Sequence, residues 1–128
     1  MKPQKKKLAF FDVITHYGGA QRSTVLLCER LREFYDVYVL DAYGVCTRYL
    51  EALEGAGIAP RILFSSARHI YIGHKKHPLK RFCRSAQQVP EMLCLRKALH
   101  RAISAINPDL VWTNSPKSLL FLYASCTN

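Results

Sequence analysis

Apolar and polar positions along this 128-residue chain switch repeatedly between a strand-like and a helical period, and the switches mark out its elements. Lys7 to Thr15 (KLAFFDVIT) is short and rich in apolar residues, the composition of a strand buried on both faces. It stops at a histidine, a tyrosine and two glycines. From Ala20 the period becomes helical, with Ala20, Thr24, Leu27, Cys28 and Leu31 on one face and Arg30, Arg32 and Glu33 on the other. Tyr35 to Asp41 (YDVYVLD) predicts a second strand, and a turn through Gly44 follows it. A second helix fits Thr47 to Ala56, with Leu50 and Leu53 inward and Gly57 at the left-handed position past its end. Ile58 to Phe64 (IAPRILF) predicts a third strand, which Pro60 confines to an early or edge position.

Residues 65 to 90 have no clear period and no acid, but hold Arg68, His69, His74, Lys75, Lys76, His77, Lys80, Arg81 and Arg84. This stretch predicts a basic loop with at most a helical turn. Pro90 suits the first position of a third helix, whose stripe of Leu95, Leu99, Ala102, Ile103 and Ile106 ends at Asn107-Pro108. Asp109 to Asn114 (DLVWTN) predicts a fourth strand, and Pro116 to about Ser125 a fourth helix. Strands that alternate with helices pair in parallel, because each helix supplies the crossover that a parallel pair needs. The expected fold is an α/β, Rossmann-like parallel sheet in the order 3-2-1-4 with flanking helices. In that order the first and fourth strands are neighbours, and ligands bind in the crevice at their carboxyl ends.

Two segments would line that crevice. His16, Tyr17, Gly18 and Gly19 follow the first strand, while Asn114, Ser115 and Lys117 follow the fourth. The glycines permit close backbone approach, and the free amides of the helix that starts there favour an anionic oxygen, such as a phosphate, or a sugar hydroxyl. A plainer reading stands beside this one: a tight connection needs glycine for its backbone angles, and Asn114 caps the last helix. His16 and Tyr17 favour the functional reading, since the turn itself requires neither. The chain has no G-x-x-x-x-G-K-[ST] and no G-x-G-x-x-G. Asp41 stands about 20 residues past the glycines, where dinucleotide enzymes hold a ribose, yet a strand-end aspartate is also an ordinary turn residue. A nucleotide-dependent oxidoreductase is therefore the remotest of the readings.

Charge adds a second theme. The formal net charge is +10, and residues 65–128 carry 10 Lys and Arg against 2 acids, so this half should seek an anionic partner. Arg68, Lys75, Lys76, Lys80, Arg81 and Arg84 form its expected anionic-surface contact. Tyr71 and Phe82 lie among these cations, but no recognised nucleic-acid module matches the order of elements, so no nucleic acid is expected. His69, His74, His77 and Cys83 do not make a metal site against so much positive charge, and neither metal nor cofactor is expected. The 5 cysteines (28, 46, 83, 94 and 126) are odd in number and lack short paired spacing, which suits free thiols in a reducing cytoplasm. Cys28 and Cys94 sit in helical stretches and read as small buried hydrophobes. No apolar run approaches the roughly 20 residues of a membrane span.

The segments His16 to Gly44 and Ile106 to Ser118 (INPDLVWTNSPKS) resemble the N-terminal, acceptor-side domain of a GT-B glycosyltransferase of the large retaining family numbered four. The resemblance implies an enzyme that transfers a sugar from a nucleotide-sugar donor to an acceptor, lipid-linked acceptors included. It makes Gly18 and Gly19 the loop that reaches the donor's phosphates and sugar, and places His16, Tyr17, Asn114, Ser115 and Lys117 at the acceptor or cleft. Two departures stand out: the family's paired glutamates eight apart are absent, and the fourth strand ends in Trp112-Thr113-Asn114 where many relatives have histidine. Residues 1–128 are accordingly expected to form a single, incomplete Rossmann-like domain, half of a GT-B fold, inactive without a donor-binding domain or partner chain. A cationic acceptor domain would contact the cytoplasmic membrane face peripherally, at up to about 1 kcal/mol per surface Lys or Arg. The alternative is a non-catalytic module that holds a phosphorylated or polyanionic ligand through Lys75, Lys76, Lys80 and Arg81.

Overall fold

A computed structural model describes residues 4–64 and 78–126. Its elements are β1 (Lys6–Asp12), α1 (Gly19–Leu31), β2 (Tyr35–Asp41), α2 (Thr47–Gly55), β3 (Pro60–Ile62), α3 (Pro78–Ile106), β4 (Leu110–Trp112) and α4 (Pro116–Cys126). The strands form one sheet in the order β3-β2-β1-β4, and every pairing is parallel. This is the α/β, Rossmann-like arrangement that the alternating periods predict.

β1 is central, and Leu8, Ala9, Phe10 and Phe11 are at most 3% exposed, as a strand covered on both faces must be. Its side chains alternate between two cores. Phe10 and Val39 pack with Val25 and Cys28 of α1 and with Tyr49 and Leu53 of α2. Phe11 and Leu40 pack with Leu95, Leu99, Ala102 and Ile106 of α3 and with Phe121 and Leu122 of α4. The result is a sheet sandwiched between two helical layers.

β1 stops at Asp12, short of the expected Thr15, because its partner β2 stops in register with it at Asp41. Val13 and Ile14 nevertheless stay in the two cores, so their apolar character reflects burial rather than strand. In α1 the buried residues are Thr24, Val25 and Cys28, whereas Ala20 is exposed and Leu27 and Leu31 are half-buried. In α2 the inward pair is Tyr49 and Leu53, four residues apart, and Leu50 is half-buried.

α2 ends as its sequence predicts. Gly57 has φ +71, its amide donates to the Glu54 carbonyl at 2.9 Å, and the Ile58 amide reaches the Leu53 carbonyl at 2.9 Å. This paired closure is a Schellman motif. A Cβ at Gly57 would also stand 2.7 Å from an Arg32 guanidinium nitrogen, whose own bond to the Ala56 carbonyl it would displace. Gly57→Ala should therefore cost about 1–2 kcal/mol, read as a lower urea midpoint at unchanged slope.

α3 differs most from expectation. It begins at Pro78, and Pro90 lies inside it rather than at its first position. Proline removes one helical hydrogen bond, but Ala86 and Pro90 are both exposed, so the break falls on a stretch of the helix that solvent reaches. Residues 78–90 of the expected basic loop are thus helical. Arg68, Lys75 and Lys76 lie outside the described residues, and for Lys80, Arg81 and Arg84 only the backbone, within α3, is described. α3 ends where expected, at Asn107 with φ +48, followed by Pro108. Asp109 then fastens β4 to β1: its carboxylate accepts the Lys7 amide at 2.8 Å, and its own amide donates to the Lys7 carbonyl at 2.9 Å. Cys94, expected to be buried, is exposed on α3, while Cys28 and Cys46 are buried.

Candidate functional site at the carboxyl edge of the sheet

Parallel pairing brings the carboxyl ends of the strands to one edge, and β1 adjoins β4 there, with Phe10 opposite Trp112. The loops that leave these two strands are hydrogen-bonded to each other's helices. Asn114 Nδ2 donates to Thr24 Oγ1 of α1 at 2.8 Å, and the Thr24 hydroxyl in turn donates to the Ala20 carbonyl at 3.0 Å. Across the same edge, Ser118 Oγ of α4 donates to Asp12 Oδ1 at 2.5 Å, and the Val13 amide donates to that oxygen at 2.9 Å. The turn after β1 and the turn after β4 therefore share one crevice.

A cleft of about 90 Å³ opens between them, lined by Val13, Thr15, Tyr43, Leu95, Ser115, Lys117 and Phe121. At roughly 30 Å³ per water, it holds about three waters, enough for a hydroxyl or one phosphate oxygen cluster but not for a nucleotide. Ser115 and Lys117 stand on one wall and Thr15 on the other. Asn114 lines the joint rather than the cleft, since Trp112 Nε1 donates to its Oδ1 at 3.2 Å while its amide nitrogen holds Thr24.

Gly18 and Gly19 lie farther along the same loop. Gly18 has φ −132 and ψ −165, extended backbone that any residue adopts, and neither glycine has a positive φ. A Cβ at Gly19 would meet nothing within 4 Å. Neither turn geometry nor packing thus explains the pair. The Gly18 amide is engaged by Gln21 Oε1 at 3.0 Å, and the Gly18 carbonyl accepts the Arg22 amide at 3.0 Å. The amides of Gly19, Ala20 and Gln21, in the first turn of α1, precede any possible helical acceptor and have no partner among the described residues. These amides lie at the positive end of a helix dipole, and the space a Cβ would take at Gly19 is open.

His16 is exposed, with its Nδ1 3.3 Å from Thr15 Oγ1, a contact in which either can donate according to tautomer. Tyr17 is half-buried against the α1–α2 core, with the Arg48 guanidinium 6.0 Å above its ring. The aromatic ring therefore anchors the loop, whereas the histidine is presented to solvent. The structure gathers His16, Gly18, Gly19, Ser115 and Lys117 along one edge.

Two aspartates at the carboxyl ends of β1 and β2 are buried. Asp12 is 6% exposed and Asp41 is 0% exposed, and they are register partners on β1 and β2. Burial raises the Asp41 pKa from 3.8 to about 6; the amides of Tyr43, Ile14 and Gly44 oppose the rise and the Asp12 charge adds to it. Wholly enclosed, Asp41 offers no surface to a ribose, so the spacing that imitates a dinucleotide site lacks the exposure such a site needs. Burial also raises the Cys28 thiol to about 11, which makes it an inert core residue. Among the described residues no cluster of His, Cys, Asp and Glu could hold a metal ion, and no helix is long and apolar enough to cross a membrane. No protein-family model matches the chain, and no characterised protein or solved structure matches it, so a functional reading rests on the fold and on the geometry of this edge.

Proposed function

We propose that the chain is the acceptor-side domain of a GT-B glycosyltransferase, in which the Gly18–Gly19 loop receives the phosphates of a nucleotide-sugar donor. One observation carries the reading: the amides of Gly19, Ala20 and Gln21 have no partner among the described residues, and the space beside Gly19 is open. Anionic oxygens bind where several amides converge at a helix start. The small cleft beside the loop, with Thr15, Ser115 and Lys117, is sized for an acceptor hydroxyl next to that phosphate. A second Rossmann-like half, as a further domain or a partner chain, would hold the donor's base and sugar, and this half alone transfers nothing. In this reading the cationic second half of the chain sits against the cytoplasmic membrane face, peripherally, which suits a lipid-linked acceptor.

The competing reading, a non-catalytic polyanion module, places the ligand on the basic stretch around Lys75, Lys76, Lys80 and Arg81 instead. Titrating inorganic pyrophosphate into isotope-labelled protein separates the two. Saturable amide shifts at Gly18 to Gln21, with a dissociation constant near ~1 mM (about −4 kcal/mol), are expected for half a site. Shifts confined to residues 75–84 would support the module and refute the transferase.

A further inference from the structure

α3 carries a second apolar stripe, distinct from the one that packs on the sheet. Leu95, Leu99, Ala102 and Ile106 belong to the core, whereas Leu79, Ala86 and Leu93 are exposed and stand seven residues apart, with Val89 three residues past Ala86. Residues seven apart on a helix return to within about 20° of one another, so these positions share one face. From Leu79, 81% exposed, to Leu93, 51% exposed, the stripe covers about 21 Å, or four turns. At its carboxyl end it meets α4, where Val89, Met92 and Leu93 form with Leu120 and Phe121 a groove of about 270 Å³. α4 is itself apolar on both sides: Ser118, Phe121 and Leu122 are buried, while Leu119, Leu120 and Tyr123 are exposed. A helix that is apolar all round is built to be covered. A small molecule in the groove would hide neither Leu79 nor the outer side of α4, so covering this surface takes a protein.

We propose that the occupant is a second copy of this chain, with the two α3 helices antiparallel about a two-fold axis at Ala86. The spacing of the stripe carries the choice. An axis at residue 86 sets Leu79 against Leu93 of the second copy and Leu93 against its Leu79, while Ala86 meets its own counterpart, where the small side chain lets the helices close in. The stripe is thus complementary to itself, which is the condition of an isologous interface. Each Leu79 then arrives at the rim of the other copy's groove, beside Leu93 and Leu120. An acidic partner would suit the net charge of +10, but the repeat holds no charged residue from Leu79 to Leu93: Lys80, Arg81 and Arg84 fall off it, and Arg96 and Lys97 come after it. The stripe therefore asks for an apolar counterpart, and the net charge acts only as a repulsion that salt screens. The inference does not depend on sugar transfer.

Sedimentation equilibrium of the full chain tests it. The weight-average mass should rise from one chain towards two with concentration, and the association should tighten as salt rises from about 50 to about 500 mM, because screening weakens the repulsion between two cationic copies. Leu93→Glu, at an exposed position, should weaken the dimer about tenfold or more with unchanged circular dichroism. Position 86 reads the register. Ala86→Glu and Ala86→Lys should each be monomeric, since like charges meet across the axis, and an equimolar mixture of the two should dimerise again. A monomer at every concentration, with or without binding to anionic vesicles, would overturn the assignment. So would an association that salt weakens, dimers indifferent to Leu93→Glu, or a mixture of the two position-86 variants that stays monomeric.

Discussion

Asp41→Asn should make the folded chain more stable at neutral pH, by up to about 3 kcal/mol, and should flatten the response of stability to pH between about 4 and 6. The carboxyl is completely enclosed, and its Oδ2 has no hydrogen-bond partner among the described residues. Desolvation, with a smaller push from the Asp12 charge, raises its pKa from 3.8 to about 6. In that interval the folded state holds a proton that the unfolded chain has released, so its favourable contribution is complete below the unfolded pKa and disappears as pH rises through the folded one. A shift of that size at about 1.4 kcal/mol per unit sets the magnitude. Asparagine keeps the Oδ1 acceptor that faces the Tyr43 amide at 3.4 Å while removing the charge. Urea denaturation of both proteins at pH 4, 5, 6 and 7 should show curves that nearly coincide at the acid end and diverge towards neutrality. Parallel curves would mean that Asp41 ionises in the fold as readily as in the unfolded chain.

Gly19→Val is the second large effect, and it falls on binding rather than stability. Because a Cβ at this position meets nothing within 4 Å, the substitution is accommodated without conflict in the free protein, at a cost of a few tenths of a kcal/mol relative to glycine in either direction. The isopropyl group fills the open room at Gly19, beside the three amides that have no partner among the described residues. Pyrophosphate or a nucleotide sugar that depends on those amides should lose at least tenfold in affinity, about 1.4 kcal/mol or more, while the urea midpoint hardly moves. An unchanged affinity would remove the glycine loop from the site.

The parallel order 3-2-1-4 was legible because local period and topology rules act together. Apolar runs such as LAFF and YVLD read as buried strands, and the intervening helices leave the sheet few ways to assemble. Gly57 was legible for an equally local reason, since a left-handed residue at a helix end favours glycine whatever the tertiary fold. The start of α3 was hidden because the helix up to Pro90 gains little from an apolar stripe, and because a proline normally argues against helix continuation. Tyr49 took the place foreseen for Leu50, since which of two adjacent residues points inward is set by the rotation of α2 against β2, not by the pattern alone.

The site was legible only in part. Strand order put His16–Gly19 and Asn114–Lys117 at one edge, yet nothing local foretold that Asn114 would spend its amide on Thr24 and Trp112. The burial of Asp41 and the Ser118–Asp12 bond depend on contacts between residues far apart in the chain.

The central claim is that a phosphate sits on the first turn of α1, within the crevice shared by the loops after β1 and β4. A crystal structure of the chain with a nucleoside diphosphate sugar tests it most directly. Phosphate oxygens at about 2.7–3.2 Å from the amide nitrogens of Gly19, Ala20 or Gln21, with Ser115 and Lys117 across the cleft, are the result predicted. A phosphate seated instead on the basic amino-terminal half of α3, with the glycine loop empty, would contradict it.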